Sequence, residues 1–230
     1  MSGWPITRES LIAAAAADTR AAMTELCKAY WLPVYAFVRR SGYGPHDAQD
    51  LVQGFFTRIL VERNELTSFD PRLGRFRSWL LAALKHFLAN ELRRSRTLKR
   101  GGRTVVVSID ETFAEERYAN EPADPATPER LYERRWALTV LERVMGRLEW
   151  EYARRDRRDR FERLKGFLIG EEPSYRALAG ELGEAEGTLR AQVKRMRDRY
   201  RELLHAEIEH TVEGAGDVED ERRYLYAVLS

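Results

Sequence analysis

The chain has 230 residues, 43% hydrophobic and 33% charged, enough apolar material for one large domain or two small ones. Its 39 Lys and Arg against 37 Asp and Glu leave a net charge of +2, which excludes a uniformly basic nucleic-acid coat but not local charge. A single cysteine, Cys27, excludes an intramolecular disulfide framework and any cysteine-based metal site. No apolar run reaches membrane-spanning length. The run at residues 11–17 is short, mostly alanine, and closed by Asp18 and Arg20. A cytoplasmic, soluble protein is expected.

Helical periodicity dominates, so the predicted class is all-α. A first helical block covers residues 18–100 and is closed by Gly101 and Gly102. Cys27 falls in an apolar helical pattern and should be packed rather than reactive. A helix over residues 45–60 places Ala48, Val52, Phe55, Phe56 and Ile59 on one apolar face. Asp47, Asp50, Gly54 and Thr57 fall opposite, on the predicted solvent face. Phe69, Phe76 and Trp79 then surround a basic turn at Arg72, Arg75 and Arg77, with Trp79 expected in the core. Aromatic and cationic groups beside a pocket can hold unstacked bases. The next helix, residues 79–96, ends in a basic cluster.

Residues 101–127 form a predicted linker that includes Pro122 and Pro125. It contains the one β-like run, residues 104–109, too short and isolated to build a sheet. Thr127 as N-cap and Pro128 at the first helical position open a second helical block, residues 128–212. Within it, Ser174 caps a short helix whose apolar positions are Tyr175, Leu178, Ala179 and Leu182. Gly183 makes a turn, and a longer helix starts near Glu186 with Leu189, Val193, Met196, Tyr200 and Leu203 on one side. Arg190, Lys194, Arg197 and Arg201 take much of the rest, giving a helix-turn-helix pattern whose second helix suits a major groove. Residues 213–230 form a tail with a short helix at 218–229.

Charge follows these divisions. Residues 81–105 carry +6, residues 105–133 carry −6, residues 186–201 carry +4 and residues 202–230 carry −6. Two basic stripes, each followed by an acidic segment, fit a bipartite nucleic-acid binder or, equally, two solvated helical faces. The acidic linker and tail either pair with the basic stripes and restrain the free protein or, equally, form a solvated, flexible connection.

Three ordered stretches carry a resemblance. The first includes Asp47, Asp50, Gln53, Gly54, Phe55 and Phe56. The second includes Phe69, Asp70, Pro71, Gly74, Arg75, Phe76, Arg77 and Trp79. The third includes Leu84, Lys85, His86, Asn90, Arg93 and Arg94. In this order and spacing they resemble region 2 of bacterial RNA polymerase sigma factors, in the small extracytoplasmic-function group. The later helix pair, with Glu186, Gly187 and Thr188, is similar to region 4 of the same group. The resemblance implies a two-domain helical protein that binds core RNA polymerase, at the β′ clamp helices and the β flap, and promoter DNA.

It assigns polymerase docking to Asp47, Asp50 and Gln53. Recognition and melting of the −10 element fall to Arg75, Phe76, Arg77, Lys85, His86 and Asn90, with Arg93, Arg94 and Arg96 on phosphates. The −35 element falls to Thr188, Arg190, Gln192, Lys194, Arg195 and Arg197. Family members usually carry acids at the positions of Gln49 and Gly54, and Asn at that of His86. Acid-poor members are associated with serine/threonine kinases, which makes a kinase or an anti-sigma factor the expected regulator. Thr57, seven residues after Asp50 and therefore on the same predicted face, is either a phosphate acceptor for such a kinase, with Thr67 and Ser68 as alternative acceptors, or an ordinary exposed threonine.

No P-loop, dinucleotide fingerprint, nucleophile elbow or zinc-binding histidine pair is present, so neither an enzyme nor a cofactor is expected. His205 and His210 read as surface residues. A stand-alone helix-turn-helix repressor that never engages polymerase is the competing function.

Overall fold

The computed structural model describes residues 20–62, 65–97, 118, 127–171, 174–209 and 215–230. Eight α-helices and no strand occur among these residues. The β-like run at 104–109 and most of the predicted linker lie outside them. The chain forms two compact units, residues 1–139 with 209–230, and residues 140–208. No described helix is long and apolar enough to cross a membrane.

In the first unit, helix α1 (Arg20–Arg40) is buried on nearly every side from Leu26 onward, and Pro33 lies within it. Such an all-round apolar helix must sit at the centre of its bundle. Cys27 belongs to this core, and burial pushes its thiol up to about 12, so it stays protonated and inert at neutral pH. Arg39 closes the following turn by donating from Nη1 to the Tyr43 carbonyl, 2.6 Å, and Gly42 adopts φ 96° to reverse the chain.

Helix α2 (Pro45–Thr57) starts with proline at its first position and packs against α1, with Trp31 stacked on Phe56 at 5.8 Å. A π-helical turn, Arg58–Glu62, continues it. Two 3-10 turns, Glu65–Ser68 and Pro71–Leu73, lead to helix α3 (Phe76–Thr97).

Helix α4 (Pro128–Ala153) begins as the sequence predicts, the Thr127 hydroxyl accepting from the Arg130 amide at 3.3 Å. The contact boundary falls inside α4 rather than at its start. The cause is local: Leu131, Tyr132 and Trp136 in its first turns are buried, and Tyr132 donates its hydroxyl to the Arg77 carbonyl at 3.0 Å. The C-terminal helix, Ala215–Leu229, also belongs to this unit, with Val218, Glu221 and Leu225 buried.

The second unit holds the rest of α4, then α5 (Arg158–Leu164) with a 3-10 turn at Lys165–Phe167, α6 (Tyr175–Leu182) and α7 (Glu186–Glu209). The C-terminal helix is accordingly α8. Val140, Val144, Leu148, Phe161 and Leu164 form this core with Leu189, Val193, Met196 and Leu203, which is the predicted seam of α7 except Tyr200, half-buried. Arg199 clamps Glu151 through two hydrogen bonds of 2.9 and 2.7 Å.

Candidate functional site

The basic turn before α3 is organised from the sequence outward. Asp70 accepts from the Arg72 amide at 3.0 Å and from its guanidinium at 2.9 and 2.7 Å, and these bonds hold the carboxyl below its ordinary value. Gly74 takes φ 146°, open only to glycine, and α3 follows. Phe76 is buried, edge-on to Tyr30 and Phe69 and stacked on Trp79 at 5.4 Å. Trp79, expected in the core, is only half-buried.

Arg77 departs furthest from the sequence reading. Expected on DNA, it is 4% exposed and ion-paired with Glu133 at 2.9 Å and with Glu221. Its guanidinium lies over the rings of Trp136 at 4.3 Å and Tyr224 at 4.5 Å. Burial pulls its pKa down, but Glu221 and Glu133 more than reverse this, so it remains ionised. Burial likewise pushes Glu133 up, and it stays above the ordinary carboxylate value although Arg77 pulls it down. Arg77 and Phe76 are therefore core residues in this conformation. Arg75 is partly exposed, with Nη1 3.0 Å from Glu221 Oε2. The sequence reading did not single out Glu133, Glu221 and Tyr224. The available signal was Glu221 itself, a carboxylate between Val218 and Leu225 on one helical stripe.

Helix α3 presents the other candidates outward. His86, Arg93 and Arg94 are exposed and Asn90 is half-buried. Lys85 pairs with Glu129 at 2.7 Å and Arg94 with Glu91 at 3.1 Å. The side chain of Arg96 lies outside the described residues. A cavity of about 350 Å³ is lined by Trp79, His86, Phe87 and Asn90 of α3 and by Phe55, Arg58 and Ser68 from the α2 side. Arg58 and Ser68 were not foreseen as part of it, because only the packing of α2 on α3 brings them there.

On α2, Asp47 and Asp50 are exposed as expected, with His46 Nδ1 3.3 Å from Asp50, and Gln53 is half-buried. The predicted solvent face does not continue past them. A Cβ on Gly54 would lie 3.5 Å from Phe87, which also meets Phe55 at 5.6 Å. Thr57 is 8% exposed, so it is not an acceptor for a kinase acting on the folded chain. The reason is tertiary: Phe87 of α3 covers this part of α2, and the Glu65–Ser68 turn folds back on the π-helical turn after it. Thr67 and Ser68 are exposed. The Thr57 hydroxyl is buried and makes no hydrogen bond. Thr57→Val should therefore raise stability by about 1 kcal/mol, read as a higher urea midpoint, since an unsatisfied polar group is removed without changing shape.

In the second unit, Ser174 caps α6 by accepting from the Ala177 amide at 3.3 Å, and Gly183 ends it at φ 65°. Three residues later α7 begins. Thr188, Arg190, Lys194, Arg195 and Arg197 are exposed along it. Arg190 pairs with Glu186 at 2.6 Å and lies over Tyr175 at 4.4 Å, Lys194 pairs with Asp198 at 3.2 Å, and Arg197 donates to the Phe167 carbonyl at 3.0 Å. Gln192, expected to face DNA, is half-buried. It accepts from Arg160 at 2.7 Å and donates to Glu184 at 2.9 Å, and Arg160 also donates to Glu184 at 2.6 Å. Both ends of its amide are engaged in fixing the α6–α7 turn to α5. Among the described residues no group of His, Cys, Asp or Glu could hold a metal ion.

Residues 26–97 match the family model described as sigma-70 region 2. This segment spans α1 to α3, and so contains the aromatic turn, the cavity and the outward row of α3. The match supports a sigma factor family, and region 2 implies core RNA polymerase and promoter DNA as partners. No curated protein and no solved structure matches the chain.

Proposed function

We propose that the chain is a sigma factor of the extracytoplasmic-function group, which joins core RNA polymerase and directs it to promoters through a −10 and a −35 contact. The carrying observation is that the segment matching sigma-70 region 2 holds a cavity lined by His86 and Asn90, on the helix that also presents Arg93 and Arg94. An unstacked base needs an apolar wall and a few polar groups to read its edge. Trp79 and Phe87 supply the first, and Arg58, Ser68, His86 and Asn90 the second. Arg93, Arg94 and Arg96 would then track phosphates, and Lys85 would exchange Glu129 for DNA at small cost, because both partners are half-exposed.

Asp47 and Asp50 are the acidic groups offered to the β′ clamp helices, with Gln53 beside them. Helices α6 and α7 act as a helix-turn-helix, and Thr188, Arg190, Lys194, Arg195 and Arg197 form the surface for the −35 element. Transcription from a randomised promoter library with purified core polymerase tests this reading. Run-off products should depend on the chain, and His86→Ala with Asn90→Ala should lower open-complex formation about tenfold or more, the value of one good base contact. Absence of any chain-dependent transcript would overturn it.

A further inference from the structure

Helix α8 covers the basic turn with two groups that together resemble one nucleotide. Glu221 is 0% exposed and its carboxylate bridges two guanidinium groups, Oε1 on Arg77 and Oε2 3.0 Å from Arg75. The Tyr224 ring lies over the same two cations, 4.5 Å from Arg77 and 5.9 Å from Arg75. A carboxylate shared by two arginines stands where a phosphate would bind, and an aromatic ring stacked on them stands where a base would.

We propose that Arg75 and Arg77 form a binding site for one nucleotide of single-stranded DNA, and that α8 is its detachable cis occupant, with Glu221 in place of phosphate and Tyr224 in place of the base. This rests on the sigma factor reading and adds to it a competitor built into the chain. The seat of α8 is suited to exchange. Among its described side chains, 218–229, the buried stripe is Val218, Glu221 and Leu225, and its central member is a carboxylate rather than an aliphatic group. An isolated helix of 15 residues is marginal in water. An aliphatic residue at the central position would hold α8 whatever else was present. A carboxylate there holds only while Arg75 and Arg77 are free of other anions, since a buried charge without partners is costly. Glu133 stays with Arg77 when α8 leaves, so the vacated site keeps Arg75 as its net positive charge. Arg222 and Arg223 pair within α8, with Glu219 and Asp220, and take no part.

The test compares Glu221→Lys with Asp220→Lys in the full chain. Both add the same charge to the same helix, but Asp220 faces solvent. Binding of a fluorescein-labelled oligothymidylate at low salt should be about tenfold tighter for Glu221→Lys than for Asp220→Lys, because only the first change unmasks the site. In the unaltered chain, oligothymidylate should speed hydrogen exchange across α8 and leave α1 to α3 protected. Equal affinities of the two variants, undiminished protection of α8 in saturating oligothymidylate, or no binding by any of the proteins would each overturn the proposal. So would loss of protection in α1 to α3 of Glu221→Lys, which would make α8 a structural member of the bundle. Run-off transcription with core polymerase, scored separately, reports on the sigma factor reading alone.

Discussion

Arg77→Ala is expected to lower stability by about 3 kcal/mol, the low end of what severing a buried ion pair costs. The variant leaves Glu133 in the interior without its counter-charge and Glu221 with Arg75 alone, and removes the cation stacked on Trp136. Release of α8 rehydrates Glu221, which holds the loss to that lower end. Urea titration at pH 7 reads it directly, and an unchanged midpoint would show that Arg77 is not a core ion. Arg75→Ala should cost less than about 1 kcal/mol, because Arg75 keeps contact with water.

The deficit in Arg77→Ala should shrink as pH falls through the carboxylate range. Burial already holds Glu133 above its ordinary value with Arg77 beside it, and removing the cation raises it further. A carboxyl whose folded value is raised contributes stability below its unfolded value and loses it as pH rises through the folded one. The triple change Arg77→Met, Glu133→Gln and Glu221→Leu should recover most of the loss, since an apolar filling of similar volume needs no charge balance.

The second large effect concerns the other unit. Arg190→Glu with Lys194→Glu should abolish −35 recognition by the holoenzyme while leaving polymerase binding intact. Both side chains are exposed on α7, one turn apart; their ion-pair partners are residues of the same helix, and Arg190 also lies over Tyr175 of α6. Such pairs are worth only tenths of a kcal/mol and yield readily to DNA. Two lost contacts at about 1–3 kcal/mol each, with repulsion added, amount to a hundredfold or more in affinity. A holoenzyme gel shift on a −35-dependent promoter measures this. An unaltered shift would overturn the proposed −35 role of this face of α7.

Local signals proved readable where the cause was local. Thr127 and Ser174 cap the helices that follow them, Gly183 ends α6 in the left-handed conformation, and of the seam from Leu189 to Leu203 all but the half-buried Tyr200 is buried. Each of these depends on a few neighbouring residues and on helical period. The helical face of α2 was legible only for its first half. Helical period assigns a direction to Gly54 and Thr57, but not what lies in that direction; Phe87 of α3 lies against Gly54, and Thr57 is buried.

The charged residues divide along the same line. Composition and spacing placed basic groups at the start of α3 and along α7, and that much the sequence determined by itself. Which of them meet water was decided by tertiary structure. Arg77 is drawn inward by Glu133, 56 residues away, and Glu221, 144 residues away, and Gln192 by Arg160, 32 residues away. An ion's environment is set by what surrounds it in space, and a desolvated charge is tolerated only where opposite charge has been brought to it. Those carboxylates arrive through the packing of the start of α4 and of α8 within the first unit, a pairing that no local pattern in the sequence announces.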